Sequence, residues 1–158
     1  MISYDKLTIK TQEAVQRAQH LAGERGHQQI EPEHLLYALV EPVDGIVPAI
    51  LKKLGANPGR VLEKLGVELE RLPKVSGGLG QIYISPRANE LLEKSLKEAT
   101  QLRDEYVSVE HLLLAASEDK GPAGRILREE GASRDAVLQA LRTVRGTQRV
   151  TDQTPEDK

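Results

Sequence analysis

The side chains able to do chemistry in this chain are four histidines, a few serines and many carboxylates; cysteine is absent. A helical zinc site needs two histidines four residues apart with an acid between them. His20, His27, His34 and His111 offer no such pair, so they read as packing or helix-capping groups. A Ser–His–Asp nucleophile needs its serine on a strained turn. Ser76 lies in a loop, and Ser85, Ser108 and Ser133 stand just ahead of helical patterns, where capping accounts for them. The adjacent acids Asp104-Glu105, Glu118-Asp119 and Glu129-Glu130 belong to a chain that is 29% charged, and such pairs on helices read as solvated faces. The run Ser76-Gly77-Gly78-Leu79-Gly80 lacks the Gly-Lys-Ser/Thr that opens the helix of a phosphate loop. No catalytic residue, metal or cofactor is therefore expected, and the chain reads as a binding domain rather than an enzyme.

One constellation survives this sorting because it occurs twice. Glu33-His34-Leu35-Leu36 returns as Glu110-His111-Leu112-Leu113, 77 positions later. At the same spacing Thr8 matches Ser85, Glu13 matches Glu90, and Ala18 and Ala22 match Ser95 and Ala99. Further on the spacing falls to 76, and Ile50-Leu51, Gly55-Ala56, Val61-Leu62 and Leu65 match Ile126-Leu127, Gly131-Ala132, Val137-Leu138 and Leu141. A repeat fixes the architecture of its twin. The expected organisation is a domain over 1–145, with one repeat at 7–72, a connection at 73–84 and a second repeat at 85–145, followed by a polar, aperiodic linker at 146–158.

The elements that must position the repeated residues are helices. Thr8 is placed to cap a helix over Ile9–Glu24, whose Ala14, Val15, Ala18, Leu21 and Ala22 recur at helical spacing. Pro32 suits the first position of a second helix, which Glu41-Pro42 ends. A third spans Ile46–Leu54 and stops at Gly55; Asn57-Pro58 opens a fourth, with Val61, Leu62, Leu65 and Leu69 inward. The second copy repeats the plan: Ser85-Pro86 opens a helix over Arg87–Arg103, Ser108 caps the next, Pro122–Glu129 forms a third, and Ser133 caps a fourth with Val137, Leu138, Leu141 and Val144 inward. The expectation is an all-α, eight-helix bundle of two tandem four-helix repeats related by a pseudo-twofold. Gln81-Ile82-Tyr83-Ile84 is the best strand candidate and is short.

Composition narrows the partners. Net charge is −2, from 22 basic and 24 acidic residues, and only four tyrosines represent the aromatics. Neither a basic surface for phosphates nor stacking platforms for single strands are present, so no nucleic acid is expected. No apolar run approaches the ~20 residues of a membrane span, and the amino terminus has no apolar run of signal-peptide type. A soluble, cytoplasmic protein that makes no membrane contact is expected. Arg125, Arg128, Arg134, Arg142, Arg145 and Arg149 bias the last helices toward positive charge, which reads as a solvated face or a weak contact for an acidic partner.

If the repeats pack about a pseudo-twofold, the start of the first helix in one half faces the start of the sixth helix in the other. Thr8 and Ser85, His27 and Asp104, and Glu33 and Glu110 would then gather at equivalent helix ends. Helix-end stabilisation of ~0.5–2 kcal/mol each would by itself account for the caps and first-turn acids.

The segments Leu7-Thr8, Glu13-Ala14, Ala18-Gln19, Ile30-Glu31-Pro32-Glu33-His34-Leu35-Leu36-Tyr37-Ala38-Leu39, Leu72-Pro73-Lys74-Val75-Ser76-Gly77, Ser85-Pro86 and Asp104–Leu113 resemble, in order, the double Clp-N motif. That motif is the amino-terminal domain of Clp-family AAA+ unfoldases. The Leu-Pro-Lys-Val connection resembles the ClpB-type disaggregases more than the ClpC or ClpA type, in which the domain docks adaptors. The resemblance implies a mobile domain that engages unfolded or aggregated clients and has no ATPase activity of its own. The longer protein implied is an ATP- and magnesium-dependent homohexamer working with a DnaK-type chaperone system, and the isolated domain is implied to be a monomer. The polar residues linked with client handling fall on Thr8, Asp104 and Glu110. An apolar groove described for some members would pass Lys94 and Glu98, which are charged here.

Overall fold

The computed structural model describes residues 3–75, 80–145, 150, 151 and 153. Among these, a single 3-10 turn, Tyr4–Lys6, precedes eight helices: α1 (Ile9–Glu24), α2 (Pro32–Val40), α3 (Ile46–Lys53), α4 (Pro58–Glu70), α5 (Pro86–Gln101), α6 (Val109–Ser117), α7 (Pro122–Glu129) and α8 (Arg134–Arg145). The expected all-α bundle is what the chain forms. Local chemistry sets its starts. The hydroxyls of Thr8 and Ser85 accept the amides of Thr11 (3.2 Å) and Ala88 (3.0 Å), and the Asn57 side chain accepts that of Arg60 (3.2 Å). Helices α2 and α6 begin with a box in which histidine takes the place usual for glutamate. His34 Nδ1 accepts the Glu31 amide and His111 Nδ1 accepts the Ser108 amide, both at 2.8 Å.

Helices α2 and α6 are the innermost elements and pack on each other. Every residue of α2 except Tyr37 is buried, as is every residue of α6 after Val109. A helix apolar on all sides belongs at the centre of a domain. Around this pair α1 covers α2 and α5 covers α6, while α3, α4, α7 and α8 cross between the halves. Small side chains permit the close approach: Ala14, Ala18 and Ala22 in α1, and Ala88, Ser95 and Ala99 in α5, are all buried. Leu36, Leu51, Leu113 and Leu127 fill the centre.

Two short parallel pairings tie the halves together. Leu7 bridges Val107, and β1 (Gln29–Ile30) pairs with β2 (Tyr83–Ile84), Ile30 opposite Ile84. Ile84 is the repeat counterpart of Leu7 and Val107 that of Ile30, so each pairing is the other with the halves exchanged. The amides of Thr8 and Ser85 accordingly donate to the carbonyls of Val107 (2.9 Å) and Ile30 (3.0 Å). Such reciprocity is the signature of twofold packing. Strands of two residues are too short to print a period-two pattern in the sequence.

Some departures from expectation are local. Val144, expected inward, is half exposed, because the last turn of α8 turns Arg145 toward the interior instead. Arg103 takes a positive φ of 61° where its counterpart Gly26 has 74°, a conformation that favours glycine. Of the expected connection at 73–84, residues 76–79 lie outside the described residues; Val75 and Tyr83 donate to the carbonyls of Gly26 and Gln28. Of the expected linker at 146–158, only 150, 151 and 153 are described, and Val150 is buried against the domain.

Backbone contact makes the two halves sensitive to single methyl groups. A Cβ at Gly124 in α7 would fall 1.9 Å from the Asp119 carbonyl oxygen, whereas one at Gly66 in α4 would meet nothing within 4 Å. Gly124→Ala should therefore lower unfolding free energy by about 1–3 kcal/mol. Gly66→Ala should raise it by about 0.5–1 kcal/mol, since alanine suits a helix interior. Urea unfolding of the two variants beside the parent chain checks both signs.

Candidate functional site

The start of α1 and the approach to α6 meet at the Leu7–Val107 bridge, and the three candidate residues lie on this seam. Thr8 is fully buried, its hydroxyl 2.7 Å from that of Thr11. Asp104 and Glu110 are buried on the α6 side, where they share the guanidinium of Arg145. Arg145 donates to Asp104 Oδ1 at 2.6 Å and lies 4.0 Å from Glu110. The Thr8 amide ties the start of α1 to this cluster through the Val107 carbonyl. The seam is thus a buried network whose main-chain groups pair with one another.

Asp104 is the hub. Its second oxygen accepts from His111 Nε2 at 2.7 Å, and the tautomer follows because His111 Nδ1 is occupied by the Ser108 amide. The Val150 amide adds a third bond, to Oδ1, at 2.8 Å. Burial pushes the Asp104 carboxyl up, but the bonds from His111, Arg145 and Val150 outweigh it and hold the group at about 2.

The first half carries the same site in a neutral version. His27 stands where Asp104 stands, and its Nδ1 lies 2.8 Å from His34 Nε2. Since His34 Nδ1 accepts the Glu31 amide, Nε2 bears the proton and donates to His27. His27 Nε2 is buried without a well-formed hydrogen bond, although the Leu69 carbonyl favours its proton. Desolvation first, then the neighbouring His27 and Arg25 charges, lowers His34 to about 4. The counterpart of Arg145 here is Leu69, which is fully buried. One half therefore closes its helix ends with neutral histidines under a leucine, the other with an ionised aspartate under an arginine. These histidines, from which a metal reading would start, serve as each other's partners.

The expected arginine face is largely consumed inside the molecule. Arg134 grips Glu98 through two bonds of 2.7 and 2.6 Å, Arg128 reaches the carbonyls of Ser117 and Asp119, and Arg125 reaches Glu68. Arg149 lies outside the described residues. Sequence reasoning also passed over Arg87, which donates to Glu33 across the halves (3.0 Å) and to Asp119 within its own half (2.8 Å). Burial raises the Glu33 carboxyl in spite of Arg87; Glu33 also accepts the Ala123 amide, so it caps α7 from the opposite half. The depression beside α5 is lined by Arg87, Glu90, Lys94 and Glu118, with Leu91 and Ala115 its apolar part. Charge at Lys94 thus marks that surface, while Glu98 is neutralised by Arg134.

Two exchangeable four-helix halves meeting at a pair of parallel bridges define a Clp repeat (R) N-terminal domain. The model of that family matches residues 6–130, and the chain belongs to it. It is similar to the Chaperone protein ClpB of Nitratidesulfovibrio vulgaris, with 45% identity over 157 residues, and to that of Bacillus anthracis, with 41% over 157. In each case 96% of this chain is covered, but it spans only 18% of the relative's length. The Hsp104 N-terminal domain from Candida albicans has the same fold, at a TM-score of 0.83 and 25% identity over 95% of this chain and 98% of that one. A ClpV N-domain solved in complex with a VipB peptide shares the fold at a TM-score of 0.68 and 20% identity, covering 92% and 91% of the two chains. Among the described residues no helix is long and apolar enough to cross a membrane.

The two versions of the site titrate in different windows. The lowered His34 carries stability present above its unfolded value of 6.5 and lost as pH falls to about 4. That loss is about 3 kcal/mol. The lowered Asp104 carries stability present above 3.8 and lost as pH falls toward about 2, worth about 2 kcal/mol. Urea unfolding between pH 7 and 2 should show both declines, and Asp104→Asn should shrink the lower-pH one while leaving the upper one in place.

Proposed function

We propose that this chain is the client-engaging amino-terminal domain of a ClpB-type disaggregase. The observation that carries the reading is the 45% identity to a ClpB chaperone across 96% of the chain. The seam supports it: it pairs main chain with main chain over a buried ionic network, and main-chain hydrogen bonds are available from every client. Thr8 holds the start of α1, Asp104 anchors Arg145, and Glu110 orients it. We read these three residues as the polar support of the client edge. Affinity for any one client is low, since ordering an unfolded segment opposes binding.

In the longer protein, ATPase modules arranged as a hexamer would pull on the captured chain, and a DnaK-type system would deliver it. The work of this domain is capture without chemistry: no covalent step and no cofactor enters. Adaptor docking of the ClpC or ClpA type is the competing assignment, and it differs in demanding one folded partner.

Titration of the fluorescently labelled chain with unfolded casein separates the two. Saturable weak binding is expected, and Glu110→Gln should weaken it about fivefold through the lost support of Arg145, with the thermal melt showing an intact fold. Absence of binding even at millimolar domain, or equal binding by the variant, contradicts the assignment. Tight binding to a single folded partner with none to casein points to adaptor docking.

A further inference from the structure

The twofold likeness of the halves fails on one outer face. Helices α4 and α7 pack across the halves and are joined on their outer side by ion pairs. Lys64 reaches Glu130 (2.8 Å) and Glu129 (3.3 Å), Arg60 reaches Glu130 (3.4 Å), and Arg125 reaches Glu68 (3.1 Å). Helices α3 and α8 pack together as the exchanged counterpart. There Lys53 and Leu54 take the places of Glu129 and Glu130, Ala49 that of Arg125, and Ala136, Ala140 and Val144 those of Arg60, Lys64 and Glu68. None of these ion pairs can be repeated with the residues that replace them.

An apolar strip stands in their place. Ala136, Ala140 and Val144 recur at every fourth residue and so share one side of α8, as Ala49 and Lys53 share one side of α3. Ala49 is exposed, and Val144 keeps 51% of its surface in water. The loop between α2 and α3 adds Val43, 81% exposed, between the exposed acids Glu41 and Asp44. The corresponding loop of the other half is one residue shorter, and its Asp119 is turned to Arg87. The strip therefore carries carboxylates at one end of α3 and Lys53, with Lys52 beside it, at the other. The eight residues of α3 set these ends about 12 Å apart. The dipole of α3 favours acids at its start and lysines in its last turn, but it does nothing to favour valines left in water beside them.

We infer that the α3–α8 face is where two copies of this chain pair, about a twofold axis that sets their α3 helices antiparallel. That orientation brings the acidic end of each strip to the lysine end of the other, and it covers Val43, Ala49 and Val144 of both copies at once. A parallel arrangement would set like charges together. The contact is isologous and closes at two copies. A face of one short helix and its neighbour is smaller than a standard interface, so the pairing is weak and belongs to copies that are concentrated or tethered. Client capture plays no part in it.

Sedimentation velocity of the full chain at low salt should show a monomer at micromolar and a dimer at millimolar concentration, with added salt dissociating the dimer. Val43→Ser should weaken the dimer about tenfold. A variant carrying Lys52→Glu and Lys53→Glu, and another carrying Glu41→Lys and Asp44→Lys, should each stay monomeric, and mixing the two should restore the dimer. Adding Val43→Ser to the second of these should weaken the mixed dimer again, which general attraction between oppositely charged chains would not do. Val144→Ser, expected to act as Val43→Ser does, carries the comparison if a double variant fails to fold by circular dichroism. A wild type that stays monomeric at millimolar concentration, a dimer unchanged in the folded variants, or a mixture that stays monomeric overturns the inference. Each of these outcomes leaves the casein titration, and the reading it tests, untouched.

Discussion

Everything in this domain rests on two main-chain pairings that are one pairing seen from each half. Leu7 with Val107, and Ile84 with Ile30, place the start of each half's first helix beside the approach to the other half's second. Each contributes few hydrogen bonds, yet together they set the register between the halves. Once that register holds, α2 and α6 can lie against each other with almost no exposed side chain. Burial of aliphatic surface then supplies most of the stability, while the pairings decide which surfaces meet.

The duplicated plan creates a problem that the two halves solve differently. A helix starting in the interior must satisfy its first amides there, because each unpartnered buried donor is destabilising by about 1–3 kcal/mol. Both halves use a histidine ring at α2 or α6 for this, and the ring's other nitrogen then needs a partner of its own. His27 answers with a neutral nitrogen beneath Leu69; Asp104 answers with a carboxylate, which in turn requires Arg145. The neutral solution closes the surface. The ionic solution gives the second half a buried carboxylate bonded by His111, Arg145 and the Val150 amide, and so breaks the twofold symmetry.

The departures from the repeat are consequences of this choice. Arg145 turns inward, so Val144 is left at the surface, and the charge expected on the last helices is mostly neutralised within the fold. Glu33 and Arg87 couple the halves on the other face, so a carboxylate of α2 caps α7 while remaining buried. Thr8 and Asp104 accept backbone amides beside the seam while Glu110 stands 4.0 Å from Arg145, and all three are buried rather than exposed.

Much was legible without coordinates. Thr8, Asn57 and Ser85 mark helix starts, Gly55 and Gly131 mark stops, and the alternation of leucine and alanine marks inner faces, because each signal acts within a few residues of itself. The spacing of Glu33-His34 and Glu110-His111 exposed the duplication for the same reason. Partners were not legible. Arg145 and Asp104 are 41 residues apart, and nothing in either distinguishes a buried hub from a solvated charge. Nor does a polar stretch after α8 announce that Val150 returns to the seam. Helix positions and the repeat were determined by the sequence alone, since local hydrogen bonding and periodicity decide them. Which charges pair and which backbone groups meet across the halves were decided only by the tertiary structure, since those outcomes depend on distances that packing alone sets.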